Sequence, residues 1–145
     1  MSYYTRSLTL LLLCSFNISA DELTISLSGQ TKEGVLSLAI YDNAEAYNYS
    51  VKGEQRSEVG IFTVIENFIE LKESHEFVIN LPEGIYAIAL FVDANKNLKI
   101  DKNFLGIPKE QFGFSNNAMG KLSAPSFEQA KFKDEGNTLQ NIKLK

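Results

Sequence analysis

The stretch Ile85-Tyr86-Ala87-Ile88-Ala89-Leu90-Phe91-Val92 is apolar or aromatic at every position. Successive side chains of a strand point to opposite faces, so a run of this kind must be covered on both. Ile85, Ala87, Ala89 and Phe91 fall on one side, and Tyr86, Ile88, Leu90 and Val92 on the other. Its short length and the turn residues Pro82 to Gly84 before it mark it as a central strand rather than a helix. The fold must therefore supply a layer against each face. The small residues Ala87 and Ala89 predict a close approach on theirs.

The rest of the chain supplies partners of the same kind. Leu23, Ile25 and Leu27 alternate with Thr24, Ser26 and Ser28, which predicts a half-buried strand. Val35 to Asp42 alternates in the same way, and across the turn residues Gly29 to Gly34 the two runs are expected to form a hairpin. Ile61 to Leu71 alternates with an interruption at Glu66 and Asn67 that suggests a bulge; Glu76 to Leu81 places Phe77, Ile79 and Leu81 inward. Ala44 to Gly60 reads as a connection with at most a turn of helix. Phe127 to Lys133 and Thr138 to Leu144 are weaker runs, expected to form a second hairpin around Glu135, Gly136 and Asn137. About seven strands at this spacing predict an all-β, Greek-key sandwich in a single domain over residues 21–145.

Residues 1–20 are set apart. A start with one charge (Arg6), the apolar run Leu8 to Phe16 and a polar exit ending at Ala20 are the three parts of a secretory signal peptide. The apolar run is too short for the roughly 20 residues of a membrane-spanning helix, so no span is expected after cleavage. Leu13, preceding Cys14, is not the small residue a lipoprotein signal uses. Cleavage after Ala20 removes the only Cys, which excludes disulfides, thiol catalysis and Cys-ligated zinc from the mature domain. Loss of Arg6 also takes the net charge from −4 to −5, a balance that excludes nucleic acid as a partner. The expected location is periplasmic or secreted.

A long connection, Asp93 to Pro125, follows the central strand, and connections of this length usually bind something. Asp93, Asn95, Asn97 and Asp101 place side-chain oxygens at relative positions 1, 3, 5 and 9, and Lys99 can offer its carbonyl at position 7. A calcium loop uses this spacing, because alternate residues of a tight coil point inward at one hard cation. Leu98 and Phe104 stand where such loops carry Gly and Glu, so any Ca2+ site would be weak, on the order of 10⁻⁴ to 10⁻³ M. Glu110 is a further carboxylate within reach. The other expectation is a loop without an ion, since Asp and Asn also bond their own backbone in turns. Phe104, Gly106, Pro108, Glu110, Phe112, Gly113, Phe114, Ser115, Asn116 and Asn117 form the candidate binding loop, in which the aromatics either anchor the loop on the core or make a contact surface.

Several of these segments carry a resemblance. Leu81-Pro82-Glu83-Gly84-Ile85-Tyr86-Ala87, the Asp93 to Asp101 spacing, Leu105-Gly106-Ile107-Pro108 with Glu110 and Phe112 to Asn117, and Pro125-Ser126-Phe127-Glu128 with Ala130 and Phe132 occur in one order. This order is similar to that of the bacterial exported family catalogued as domain of unknown function 2141. The resemblance implies an exported, single-domain β-sandwich similar to transthyretin-like modules, with no established activity. Two positions depart from the family pattern: Val92 where a His is common, and Leu98 where a Gly is common.

Catalytic parts are few. His75 is the only His and sits among polar residues, where an exposed turn position is expected, and a Ser115 nucleophile would need that base beside it. Asn48-Tyr49-Ser50 matches a glycosylation sequon, a weak signal. The chain is therefore expected to be a non-catalytic, exported module, with or without calcium, that binds a protein or carbohydrate of the cell envelope. The alternative is a metal-dependent hydrolase using Asp93, Asp101 and Glu110.

Overall fold

A computed structural model describes residues 21–53 and 61–145. The expected signal peptide, residues 1–20, lies outside the described residues. The eight described strands are β1 (Glu22–Ser28), β2 (Gly34–Tyr41), β3 (Ile61–Ile69), β4 (Ser74–Asn80), β5 (Gly84–Asp93), β6 (Gln111–Phe114), β7 (Phe132–Asp134) and β8 (Thr138–Lys143). Two short helices accompany them, α1 (Ala44–Val51) and α2 (Phe127–Ala130), with a 3-10 turn at Ser115–Asn117. One sheet has the order β4-β1-β8 and the other β3-β2-β5-β6, with β7 also paired to β5. The domain is all-β, and eight strands replace the expected seven.

Between the sheets lies the core that the alternation anticipates. Leu23, Ile25 and Leu27 of β1 meet Leu36, Leu38 and Ile40 of β2 and Ile88, Leu90 and Val92 of β5, all buried, with Ile142 of β8. Both expected hairpins are absent. β1 pairs with β4 antiparallel and with β8 parallel, whereas β2 pairs with β3 and β5. The two apolar faces bury more by stacking across the sandwich than they could as neighbours in one sheet, and the Gly29–Gly34 turn crosses between layers. Gln111 holds that crossing: its Nε2 donates to Gly29 O (2.9 Å) and its Oε1 accepts from Thr31 N (2.6 Å). The second expected hairpin fails for the same reason, since β7 joins β5 in one sheet and β8 joins β1 in the other. Part of its first run is helix: Ser126 and Gln129 form a capping box that starts α2. The irregularity in β3 pairing falls opposite Ile40 and Tyr41, not at Glu66 and Asn67.

β5 is buried along the face of Tyr86, Ile88, Leu90 and Val92; on its other face Ala87 is fully covered, Ala89 and Phe91 are half-buried and Ile85 is 50% exposed. Against Ala87 lies a second buried cluster made of Ala39, Tyr41, Ala46, Tyr47, Phe114, Phe127 and Ala130, with Ala89 at its margin. Helix α1 reaches this position because Asn43 caps it, its Oδ1 accepting from Glu45 N and Ala46 N. Two methyl side chains leave the depth that the ring of Tyr47 fills, edge-on to Tyr41 and to Phe127. The sequon residues are used here as well: Asn48 Oδ1 accepts from Phe127 N (3.0 Å), and Ser50 Oγ accepts from Tyr41 OH (2.7 Å).

Burial pushes the Tyr47 phenol pKa upward, with the neighbouring Tyr41 adding to the shift, and the hydroxyl has no hydrogen-bond partner among the described residues. Burying a hydroxyl without a partner costs about 1–3 kcal/mol. Tyr47→Phe should therefore leave the melting temperature unchanged or raise it, while Tyr47→Ala should cost about 3–5 kcal/mol by opening a cavity. Thermal melting of the two variants checks this.

Candidate binding loop

Strand β5 ends on Asp93, whose side chain is 1% exposed although it is ionisable. Its carboxylate is engaged by the loop that follows. Oδ1 accepts from Lys96 N (2.7 Å) and Asn97 N (3.3 Å), and Oδ2 accepts from Leu98 N (2.6 Å). Lys96 and Leu98 both adopt the left-handed backbone region, at φ 61° and 60°. Side chains other than Gly adopt it at a cost. Bonds to a charged acceptor, each worth about 1.5–3 kcal/mol, offset that cost. Leu98 thus takes the turn that Gly performs in loops of this spacing.

The second half of the loop repeats the device. Asn95 Nδ2 donates to Asp101 Oδ2 (2.6 Å), and Asn97 Nδ2 lies 3.1 Å from each Asp101 oxygen. The two amide oxygens accept from the backbone, Asn95 Oδ1 from Asn97 N (3.1 Å) and Asn97 Oδ1 from Lys99 N (2.9 Å). Glu110 closes the loop from its far end, with Oε1 accepting from Ala94 N (3.2 Å) and Oε2 from Asp101 N (3.1 Å). Desolvation pushes the Glu110 carboxyl above the ordinary range; its backbone bonds pull against this, and the nearby charges of Asp93 and Asp101 push the same way as burial.

Calcium takes six to eight oxygens. Here the oxygens of Asp93, Asn95, Asn97, Asp101 and Glu110 are turned to protein N–H groups, and among the described residues no cluster of three or more His, Cys, Asp or Glu is placed to hold a metal. A cation would need the Asn95 and Asn97 amides to rotate. As arranged, the five residues fold the loop through one another.

Beyond Asp101 the chain makes a miniature hairpin. Lys102 and Pro108 form a bridge, Lys109 N donates to Asp101 O (2.8 Å), and Asn103 N donates to Ile107 O (2.8 Å). Asn103 Oδ1 also accepts from Leu105 N (2.9 Å) and Ile107 N (3.0 Å), while Gly106 supplies the positive φ of the turn, 78°. This hydrogen-bonded tip carries Phe104 at 95% exposure, Leu105 at 68% and Ile107 at 54%. Asn103 and Gln111 escaped sequence reasoning; the Asn103-x-x-Gly106 turn spacing was the available signal for the first.

The remaining loop residues turn inward. Phe114 is buried in the second cluster with Phe112 packed beside it, so these two aromatics anchor and Phe104 does not. Gly113 lets β8 close in, since a Cβ there would lie 2.6 Å from Ile142 Cγ2. Ser115 Oγ accepts from Ile88 N (2.8 Å) and donates to Ala130 O (2.6 Å). Asn116 N donates to Gln140 Oε1 (3.0 Å), and its Nδ2 donates to Lys131 O (2.8 Å). Asn117 clamps strand β8, its Nδ2 donating to Asn141 O and its Oδ1 accepting from Lys143 N. These residues latch one sheet to the other. His75 opens β4 half-buried, with Nε2 2.7 Å from Gln30 Oε1 and 3.0 Å from Glu70 O. Ser115 is committed to Ala130, so the two do not form a nucleophile and base.

Fold and loop together define a two-sheet β domain that carries a preformed surface hairpin. The chain belongs to the family described as an uncharacterized protein conserved in bacteria (DUF2141), whose sequence profile matches residues 25–142. No curated protein and no solved structure matches it. Among the described residues, no helix is long and apolar enough to cross a membrane.

Removing the Asp93 carboxylate leaves three backbone N–H groups without their acceptor and two left-handed residues without compensation. Asp93→Ala should destabilise the domain by about 2–4 kcal/mol, measurable by urea unfolding. A change under 0.5 kcal/mol would show that Asp93 does not hold the loop.

Proposed function

We propose that the protein is an exported, non-catalytic binding module, periplasmic or secreted, whose contact surface is the Lys102–Pro108 hairpin. The observation that carries this is the exposure of Phe104, Leu105 and Ile107 on a turn held by Asn103. Large apolar side chains in water are unfavourable, and a rigid cluster of them loses little entropy on contact. Of the two partner classes expected, a carbohydrate is the poorer fit, because the three side chains bring no hydrogen-bonding groups to a sugar's hydroxyls. The tip suits an apolar surface.

The non-catalytic part draws on Asp93, whose buried, bonded carboxylate is poorly placed to act as acid or base for the alternative hydrolase. For the fold, the orders β4-β1-β8 and β3-β2-β5 with a parallel β1–β8 pair support a Greek-key, transthyretin-like sandwich. Ser115 carries the β5 ladder from β6 to β7, so these two short strands share one of seven positions.

A Phe104→Ser, Leu105→Ser, Ile107→Ser triple variant should melt as the parent does, yet lose co-sedimentation with washed bacterial envelopes. Retained co-sedimentation would remove the tip from the proposal. Calcium is the subordinate part, supported by the oxygen spacing of Asp93, Asn95, Asn97 and Asp101. With the affinity expected, 10 mM calcium should stabilise the domain by about 1.4–2.7 kcal/mol, and an unmoved melting temperature would leave the loop standing on its hydrogen bonds alone.

A further inference from the structure

We propose that the apolar surface met by this hairpin is the headgroup layer of an anionic lipid membrane, an inference that rests on the tip being the contact surface. The reason is the distribution of charge around the tip. The chain is net negative, yet Lys99 and Lys109 flank Phe104, Leu105 and Ile107 in the chain and are exposed, while Lys102 turns its ammonium to Gly53. The acids of the same loop point the other way: Asp93 into its backbone amides, Asp101 to Asn95 and Asn97, Glu110 to Ala94 and Asp101. Among the described residues no ion pair holds Lys99 or Lys109; the ion pairs present involve Lys72, Lys131 and Lys133.

Asp93 is buried and the half-buried Asp101 and Glu110 are held by N–H donors of the loop, while Lys99 and Lys109 stand exposed on either side of the tip in the chain. An apolar wedge flanked by two exposed lysines matches a membrane surface, where acyl chains lie beneath anionic phosphates. Lysine stems can also lie along the wedge while their ammonium groups reach the phosphates. Seating needs no rearrangement, since Asn103 and Gly106 already hold the turn.

The test is sedimentation of the purified protein with phosphatidylcholine vesicles containing phosphatidylglycerol, compared with phosphatidylcholine alone. Binding should be at least about tenfold stronger to the anionic vesicles and should weaken at high salt. The Phe104→Ser, Leu105→Ser, Ile107→Ser variant should lose binding to both vesicles. A Lys99→Gln, Lys109→Gln variant should lose the anionic preference while melting as the parent does. Parent protein that ignores anionic vesicles overturns the proposal, as does a lysine variant that binds them equally well. If the vesicles fail and envelope co-sedimentation persists until the envelopes are treated with protease, the tip meets a protein, and the contact-surface assignment survives without the lipid.

Discussion

The Asp93 carboxylate is the point on which the loop depends. It sits at the end of the central strand, inside the protein, and gathers the amides of Lys96, Asn97 and Leu98 around its two oxygens. A buried charge is tolerated only when its hydrogen-bonding capacity is met. The chain therefore coils tightly after β5, through two left-handed residues, and the coil delivers Asp101 to Asn95, Asn97 and Glu110. Everything beyond, including the exposed hairpin, is positioned from this anchor.

A second set of bonds ties that loop to the sandwich. Phe114 and the pair Ser115-Asn116 lie against β5 and α2, and Asn117 satisfies backbone groups of β8, an edge strand of the smaller sheet. Open strand edges invite pairing with other chains, and a side-chain amide that occupies one is a local safeguard. The connection after β5 thus has two roles along its length: an outward tip at Phe104 to Ile107, and an inward latch from Phe112 to Asn117.

The central strand was legible because eight consecutive apolar positions call for cover on both faces, which the fold supplies fully on one and around Ala87 on the other, where α1 and Phe127 approach. Strand neighbours were not legible. The alternation in Leu23–Leu27 and in Leu36–Ile40 tells which face is apolar, and the same pattern serves two strands side by side or stacked across a core. Helix α2 was hidden because Ala130 and Phe132 keep the period of two of a strand, although Ser126-x-x-Gln129 was available. In the loop, the oxygen spacing at Asp93, Asn95, Asn97 and Asp101 was visible, but a row of oxygens reads alike whether it faces a cation or backbone amides. Phe104 and Phe114 are chemically identical in sequence; only the turn at Asn103 and Gly106 separates an exposed tip from a buried anchor.

Hydrogen bonds within the chain preform the loop before any partner arrives. Amide hydrogen exchange of the protein in metal-free buffer tests this. The amides of Lys96, Leu98, Leu105 and Ile107 should exchange slowly, comparably with exposed strand positions, despite lying in a surface loop. Exchange of these four at the rate of an unstructured peptide would contradict it.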